Sequence, residues 1–201
     1  MGLKSASGGV QYLTIQNGKI ARRVPEPTER SKERVIESSG KHIHEELYDT
    51  LEGTMTGIST RDGNYGKELL ITVNDGEQSF QLQLKLSSSP ASSFLRALPN
   101  LDKSKPFLII PKMEMKGDIR RTTIVLSQDN KGVKWAFTKD APGDLPPMKK
   151  IKVKGKDVWD DSEQLEYFEK LIAETDIKLK ATGTLAIGAE VEGEDYEDAP
   201  F

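Results

Sequence analysis

Between residues 44 and 139 apolar side chains recur at every second position in one run after another, and the period changes only once. Alternation of this kind marks strands with one buried face, because successive side chains point to opposite sides. His44 to Ser59 reads as one long extended segment, with Gly53 and Gly57 inside it as bulges or bends. Arg61 to Gly66 is a turn, and Lys67–Asn74 then sets Leu69, Ile71 and Val73 on one face. After a tight turn at Asp75-Gly76, Phe80, Leu82, Leu84 and Leu86 oppose Gln81, Gln83 and Lys85. The period then switches. Ser87-Ser-Ser-Pro90 offers a serine cap and a proline for a first helical turn. Phe94, Leu95 and Leu98 follow at helical spacing, and Pro99 closes the helix. Strands resume at Phe107–Met115, with Phe107, Ile109, Met113 and Met115 on one face, and at Asp118–Gln128. Val133–Lys139 is expected to return as a partner strand after the Asp129–Gly132 turn.

Three strands, a helix and two strands is the order of an OB-like five-stranded Greek-key barrel, so the expected class is mainly β. Other small barrels and α+β sheets match the same order. Residues 42–139 would form this barrel. Residues 1–41 read as an N-terminal hairpin, turning at Asn17-Gly18, followed by a mobile connector. Residues 140–174 read as a Pro-rich linker, a basic strand and an amphipathic helix. That helix is capped by Asp160 or Asp161 and carries Leu165, Phe168, Leu171 and Ile172 on one face. Residues 175–201 read as an acidic, largely disordered tail.

The chain has no cysteine, which removes disulfides, thiolate metal sites and cysteine nucleophiles together. No apolar run approaches the roughly 18–20 residues that span a bilayer, and Met1–Gly9 lacks the apolar centre of a secretory signal. A cytoplasmic location is therefore expected. His42 and His44 point the same way on a strand, but Glu45 and Glu46 are the nearest further ligands, and a zinc site needs three or four well-placed ones. Phosphate-loop, dinucleotide and serine-elbow patterns are absent, so neither a cofactor nor catalysis is expected. The net charge of −3 is uneven: residues 188–201 hold six acids and no base, leaving 29 bases against 26 acids in the body. A basic body with an acidic tail suits a polyanionic ligand, although such a tail can also serve only solubility.

The chain ends Glu194-Asp-Tyr-Glu-Asp-Ala-Pro-Phe201. This resembles the tip of bacterial single-stranded DNA-binding proteins, a run of acids closed by proline and a terminal phenylalanine. Phage single-stranded DNA-binding proteins of the T7 type similarly end in acids and phenylalanine. The resemblance implies a barrel that coats single strands during replication, recombination or repair. It implies a tail that recruits replication and recombination proteins through Glu194, Asp195, Glu197, Asp198, Pro200 and Phe201. It further implies competition of that tail with DNA, a homodimer, and a host bacterial cytoplasm if the chain is phage-encoded. The alternative is an OB-like protein-interaction module that binds no nucleic acid.

Sequence-tolerant binding of single strands needs rings for bases and cations for phosphates. Tyr65 sits in a Gly-flanked turn near Arg61 and Lys67; an ordinary exposed turn tyrosine would look the same. Trp135 lies between Lys134 and Lys139, and sharing a strand face with Val133 and Phe137 it would equally suit a barrel core. Tyr48 alternates with Leu47 and is expected to face out. Lys112, Lys116, Arg120, Arg121, Lys131 and Lys134 gather around the fourth and fifth strands, and Lys85 lies on the polar face of the third. Lys150, Lys152 and Lys154 share one face of the basic strand, to hold phosphates, to dock the tail, or simply to keep an edge soluble.

Overall fold

The computed structural model describes residues 9–36 and 40–189. It is mainly β: one ten-stranded sheet, a separate two-stranded ribbon, a short helix and a long C-terminal helix. Strands β1 (Gln11–Gln16) and β2 (Lys19–Val24) form the expected hairpin, and Asn17 and Gly18 take φ of 49° and 73°, as a two-residue primed turn requires. β3 (Lys32–Ile36) and β4 (Lys41–Tyr48) follow. Then come β5 (Leu51–Gly63), β6 (Gly66–Asn74) and β7 (Ser79–Lys85). Helix α1 (Ser89–Ala97) has Pro90 in its first turn, and the Ser88 hydroxyl accepts from the Ala91 amide as its cap. β8 (Phe107–Lys116), β9 (Ile119–Gln128) and the short β10 (Lys131–Gly132) complete the sheet.

The order across the sheet is β10-β9-β8-β5-β6-β7-β1-β2-β4-β3. Gly53 marks the point where β5 changes partner. Leu51–Gly53 pair with β8, and Thr54 onward pairs with β6. A Cβ on Gly53, whose φ is 153°, would lie 2.5 Å from the Asn74 carbonyl oxygen, so only glycine fits this crossing. The register also slips between Met55 and Gly57, a bulge that bends β5.

Several expectations are corrected. The extended segment from His44 is two strands, broken at Asp49-Thr50. The connector at 25–41 contains β3, which pairs with β4, while β1 runs parallel to β7. Residues 11–36 thus extend the barrel strands' own sheet. β5 to β9 do not close into a barrel by their ladders: β7 is bonded to β6 and β1, and β9 to β8 and β10. Val133–Lys139 is not a strand. The Ser93 hydroxyl of α1 accepts the Ile124 amide at 2.7 Å on the outer edge of β9, where a further strand would bond. The chain therefore leaves that edge after Val133, and the Ala136 amide bonds to the Arg96 carbonyl instead. A helix side chain thus takes the place of a strand and covers an edge open to mispairing.

The core lies between the curled sheet and both helices. Leu69, Ile71, Leu82, Phe94, Leu95, Leu98, Phe107 and Ile109 are fully enclosed, following the alternation and helical spacing of the sequence. Met113 and Met115 do not join them, because β8 runs past the core at its far end. Phe80 is only half-buried. The Pro-rich stretch is anchored by buried Leu145, with Gly143 against the Phe137 ring.

β11 (Lys149–Val153) pairs with β12 (Lys156–Asp160) alone, and Asp160 caps the helix that follows through the Ser162 amide. Helix α2 spans Ser162–Ala189, so it continues well into the segment expected as tail. Phe168 and Ile172 are buried, and Leu165 and Leu171 are partly buried against the core. Among the described residues no helix is long and apolar enough to cross a membrane.

Candidate nucleic-acid interface

The two tryptophans are both exposed, and each lies against a cation. Trp135 is 43% exposed, with the Arg96 guanidinium 5.9 Å from its ring centre. It faces out although Phe137, two residues on, is buried, since the segment is not a strand and the period of two does not apply. Arg96 is held by its Nη1 donating to the Phe137 carbonyl at 3.1 Å. Burial, and then the nearby charge of Arg121, push its pKa below the ordinary arginine value. The two guanidiniums are thus close enough for like-charge repulsion to add to the effect of burial.

Trp159 is 58% exposed on β12, opposite Lys150 of β11, whose ammonium stands 5.3 Å from the ring centre. Lys152 is on the same ribbon face, since its partner Asp157 is two residues from Trp159. Lys154 is not on the strand at all. With φ of 49° it forms the ribbon's turn together with Gly155, and the expected row of three lysines is therefore two.

Tyr65 projects from the β5–β6 turn and is 84% exposed. Its two neighbouring cations are already engaged: Arg61 pairs with Glu68 at 2.6 Å and Lys67 with Glu169 of α2. Exposed pairs of this kind are weak enough to exchange for phosphate. Lys85 is exposed at the end of β7, where its ladder partner is Glu68.

The cations of the fourth and fifth strands do not form one cluster. Lys112, Arg120 and Arg121 are exposed on the projecting end of the β8–β9 ribbon, where the backbone of Lys116 also lies. Lys131 and Lys134 sit beyond the opposite end of β9, and the Lys134 carbonyl accepts from Asn100 at 3.0 Å. Along β9, Arg121 stands seven residues, about 24 Å, from Gln128, the ladder partner of Lys131.

Tyr48 is the clearest departure. It is half-buried and lines a cavity of about 830 Å³ with Leu13, Ile20, Leu51 and Phe80, while Leu47 is the exposed neighbour. Arg22 and Arg30 lie 6.0 and 5.5 Å from its ring centre. Its hydroxyl donates to Glu46, which also accepts from Thr28 and Arg22. Those bonds, Tyr48 first, then Thr28 and Arg22, lower the Glu46 pKa from 4.5 to about 2. A carboxylate with a depressed folded-state pKa stabilises the fold fully above its unfolded value and loses that contribution as protons bind. Stability from Glu46 is therefore expected to be complete above about pH 4.5 and to fade as pH drops towards 2. Urea unfolding across this range checks it: Glu46→Gln should lower stability at neutral pH and flatten the acid limb.

Tyr12 was missing from the sequence candidates. It is exposed on β1 and shares the face of Gln81, its partner in β7. The alternation in Val10–Ile15, which buries Leu13, already placed it outward. Arg96 and Trp159 were missed as contacts for a different reason, since each gains its meaning from a partner distant in sequence or across a ribbon. The expected tail contacts Glu194, Asp195, Glu197, Asp198, Pro200 and Phe201 lie outside the described residues. His42 Nδ1 bonds to Glu33, and no group of three potential metal ligands occurs among the described residues. Comparison with protein-family models, curated proteins and solved structures finds no match to this chain.

Proposed function

We propose that this chain binds single-stranded DNA without sequence preference, as a non-catalytic coat in replication, recombination or repair. The observation that carries this reading is the exposure of both tryptophans, each paired with a cation, Arg96 at Trp135 and Lys150 at Trp159. A ring that stacks a base beside a cation that meets the adjoining phosphate is the minimal unit of sequence-tolerant strand binding. The strand order β9-β8-β5-β6-β7, with α1 between β7 and β8, supports an OB-like ancestry in which the N-terminal hairpin has extended the sheet.

Titration with oligo-dT and with a matched duplex, followed by tryptophan fluorescence at several salt concentrations, tests the proposal. The expected result is quenching by the single strand, strong preference over duplex, and a log–log salt slope of about −0.7 for each phosphate contact. Binding to neither would leave a protein-interaction module.

The six acids after residue 188, with terminal Phe201, form the second part of the proposal. They recruit replication and recombination proteins and, between encounters, compete with DNA for the basic surface. Deleting residues 190–201 is expected to tighten oligo-dT binding at low salt and to matter little at high salt, where the competition is screened. Unchanged or weaker low-salt binding would remove the brake from the proposal.

A further inference from the structure

The far end of the β8–β9 ribbon forms a paired arm. Its register is unbroken from Leu108↔Ser127 to Lys116↔Ile119, so it is paired up to the two-residue turn at Gly117-Asp118. β5 bonds to β8 only over Phe107–Ile109, so the remaining seven residues of β8 carry the ribbon about 23 Å beyond that ladder. The arm is braced where it leaves the body: the Gly18 turn lies against Met113, and a Cβ on Gly18 would be 2.7 Å from the Met113 Cβ.

Two apolar side chains stand out at a tip that otherwise carries Glu114, Lys116, Asp118, Arg120 and Arg121. Ile119 is 72% and Met115 60% exposed. The register puts them on opposite faces, because Met115 is paired with Arg120, while Ile119 lies on the Arg121 side. Single exposed apolar residues are ordinary, but a group at the end of a projecting ribbon, flanked by arginines, is not. Apolar side chains that insert between base steps in bent or opened DNA have this composition, with arginine or lysine on the neighbouring phosphates. Arg121 also connects the tip to the body, since its charge acts on Arg96, which covers Trp135.

We propose that the β8–β9 arm is a wedge that opens duplex DNA at a junction with a single strand. Ile119 packs on the open face of the terminal base pair, and Met115, on the opposite face of the ribbon, packs on the first base of the freed strand. Arg120 and Arg121 hold the parting phosphates, and the freed strand runs past Arg96 to Trp135. The inference rests on the single-strand reading, and its activity is distinct from trapping strands that open by themselves.

The test uses the full chain and a forked duplex carrying 2-aminopurine at the first base pair of the junction. Wild type is expected to raise the 2-aminopurine emission in proportion to bound protein. Met115→Ser/Ile119→Ser should keep oligo-dT affinity within about twofold yet give a rise at least about fivefold smaller, since no apolar side chain would then replace the lost base stacking. The residues are exposed, and an unchanged urea midpoint checks that the variant folds. Equal opening by variant and wild type at equal oligo-dT occupancy would overturn the wedge and assign opening to trapping. Oligo-dT binding without fork opening by wild type would also overturn it and leave the tip to a protein surface. Failure of wild type to bind oligo-dT would instead remove the single-strand reading, and the wedge with it.

Discussion

Replacing both tryptophans, Trp135→Ala with Trp159→Ala, is expected to weaken oligo-dT binding more than any other pair of surface changes, read by the anisotropy of a labelled oligo-dT because the double variant keeps no tryptophan. Loss of one base–ring stack costs about 1–3 kcal/mol, which is about 5- to 150-fold in affinity for each ring. The two rings occupy separate elements, Trp135 after β10 and Trp159 on β12, and lie against different cations, so their effects should add. The cations remain in both variants, so the salt slope should hold while affinity falls. Phenylalanine at either position should restore part of the loss, because it keeps a face for stacking. Both rings are exposed, so the urea midpoint should not move. Affinity unchanged in the double variant would mean that the strand passes elsewhere, and Tyr65 and Tyr12 would then be the rings to replace.

Phe94→Ala is expected to have the largest effect on stability. Phe94 is completely enclosed, and it ties α1 to the sheet between Ala91 and Leu98, which are equally buried. Truncating a phenylalanine in such a place costs about 3–5 kcal/mol, through lost burial and the cavity left behind. That is a large share of the roughly 5–15 kcal/mol that holds most domains folded. The consequence reaches beyond the core. α1 supplies Ser93 to the edge of β9 and Arg96 to Trp135, so loosening the helix should expose the Ile124 amide and release the Arg96–Trp135 contact. Urea unfolding should show the loss directly, and hydrogen exchange at Ile124 should rise in step. A midpoint like that of wild type would mean that α1 is not anchored through this ring.

Much of the strand content was legible because alternation is a local property. Leu69, Ile71 and Val73, and then Leu82, Leu84 and Leu86, are buried as their spacing requires. The serine and proline before Ala91 start α1 where a cap and a fixed φ favour it. The site was legible only in part. Exposure of Tyr65 followed from its turn, whereas Tyr48 was misplaced because alternation says which residues share a face, not whether that face meets water or a cavity. Met113 and Met115 carried the right period for a core and ended outside it, since nothing local tells how far a strand outruns its neighbours.

By itself, then, the sequence determined the strands of β6 to β9, the intervening helix, the Asn17-Gly18 hairpin and the division of charge between body and C-terminal segment. Only the tertiary structure decided which edges meet: β1 beside β7, Ser93 on the edge of β9, and β3 in a stretch that reads as connector. The reason is physical. A strand's two faces are set by its own side chains, but its edges offer the same amide and carbonyl groups whatever the sequence, so their partners are chosen by what the rest of the chain brings there.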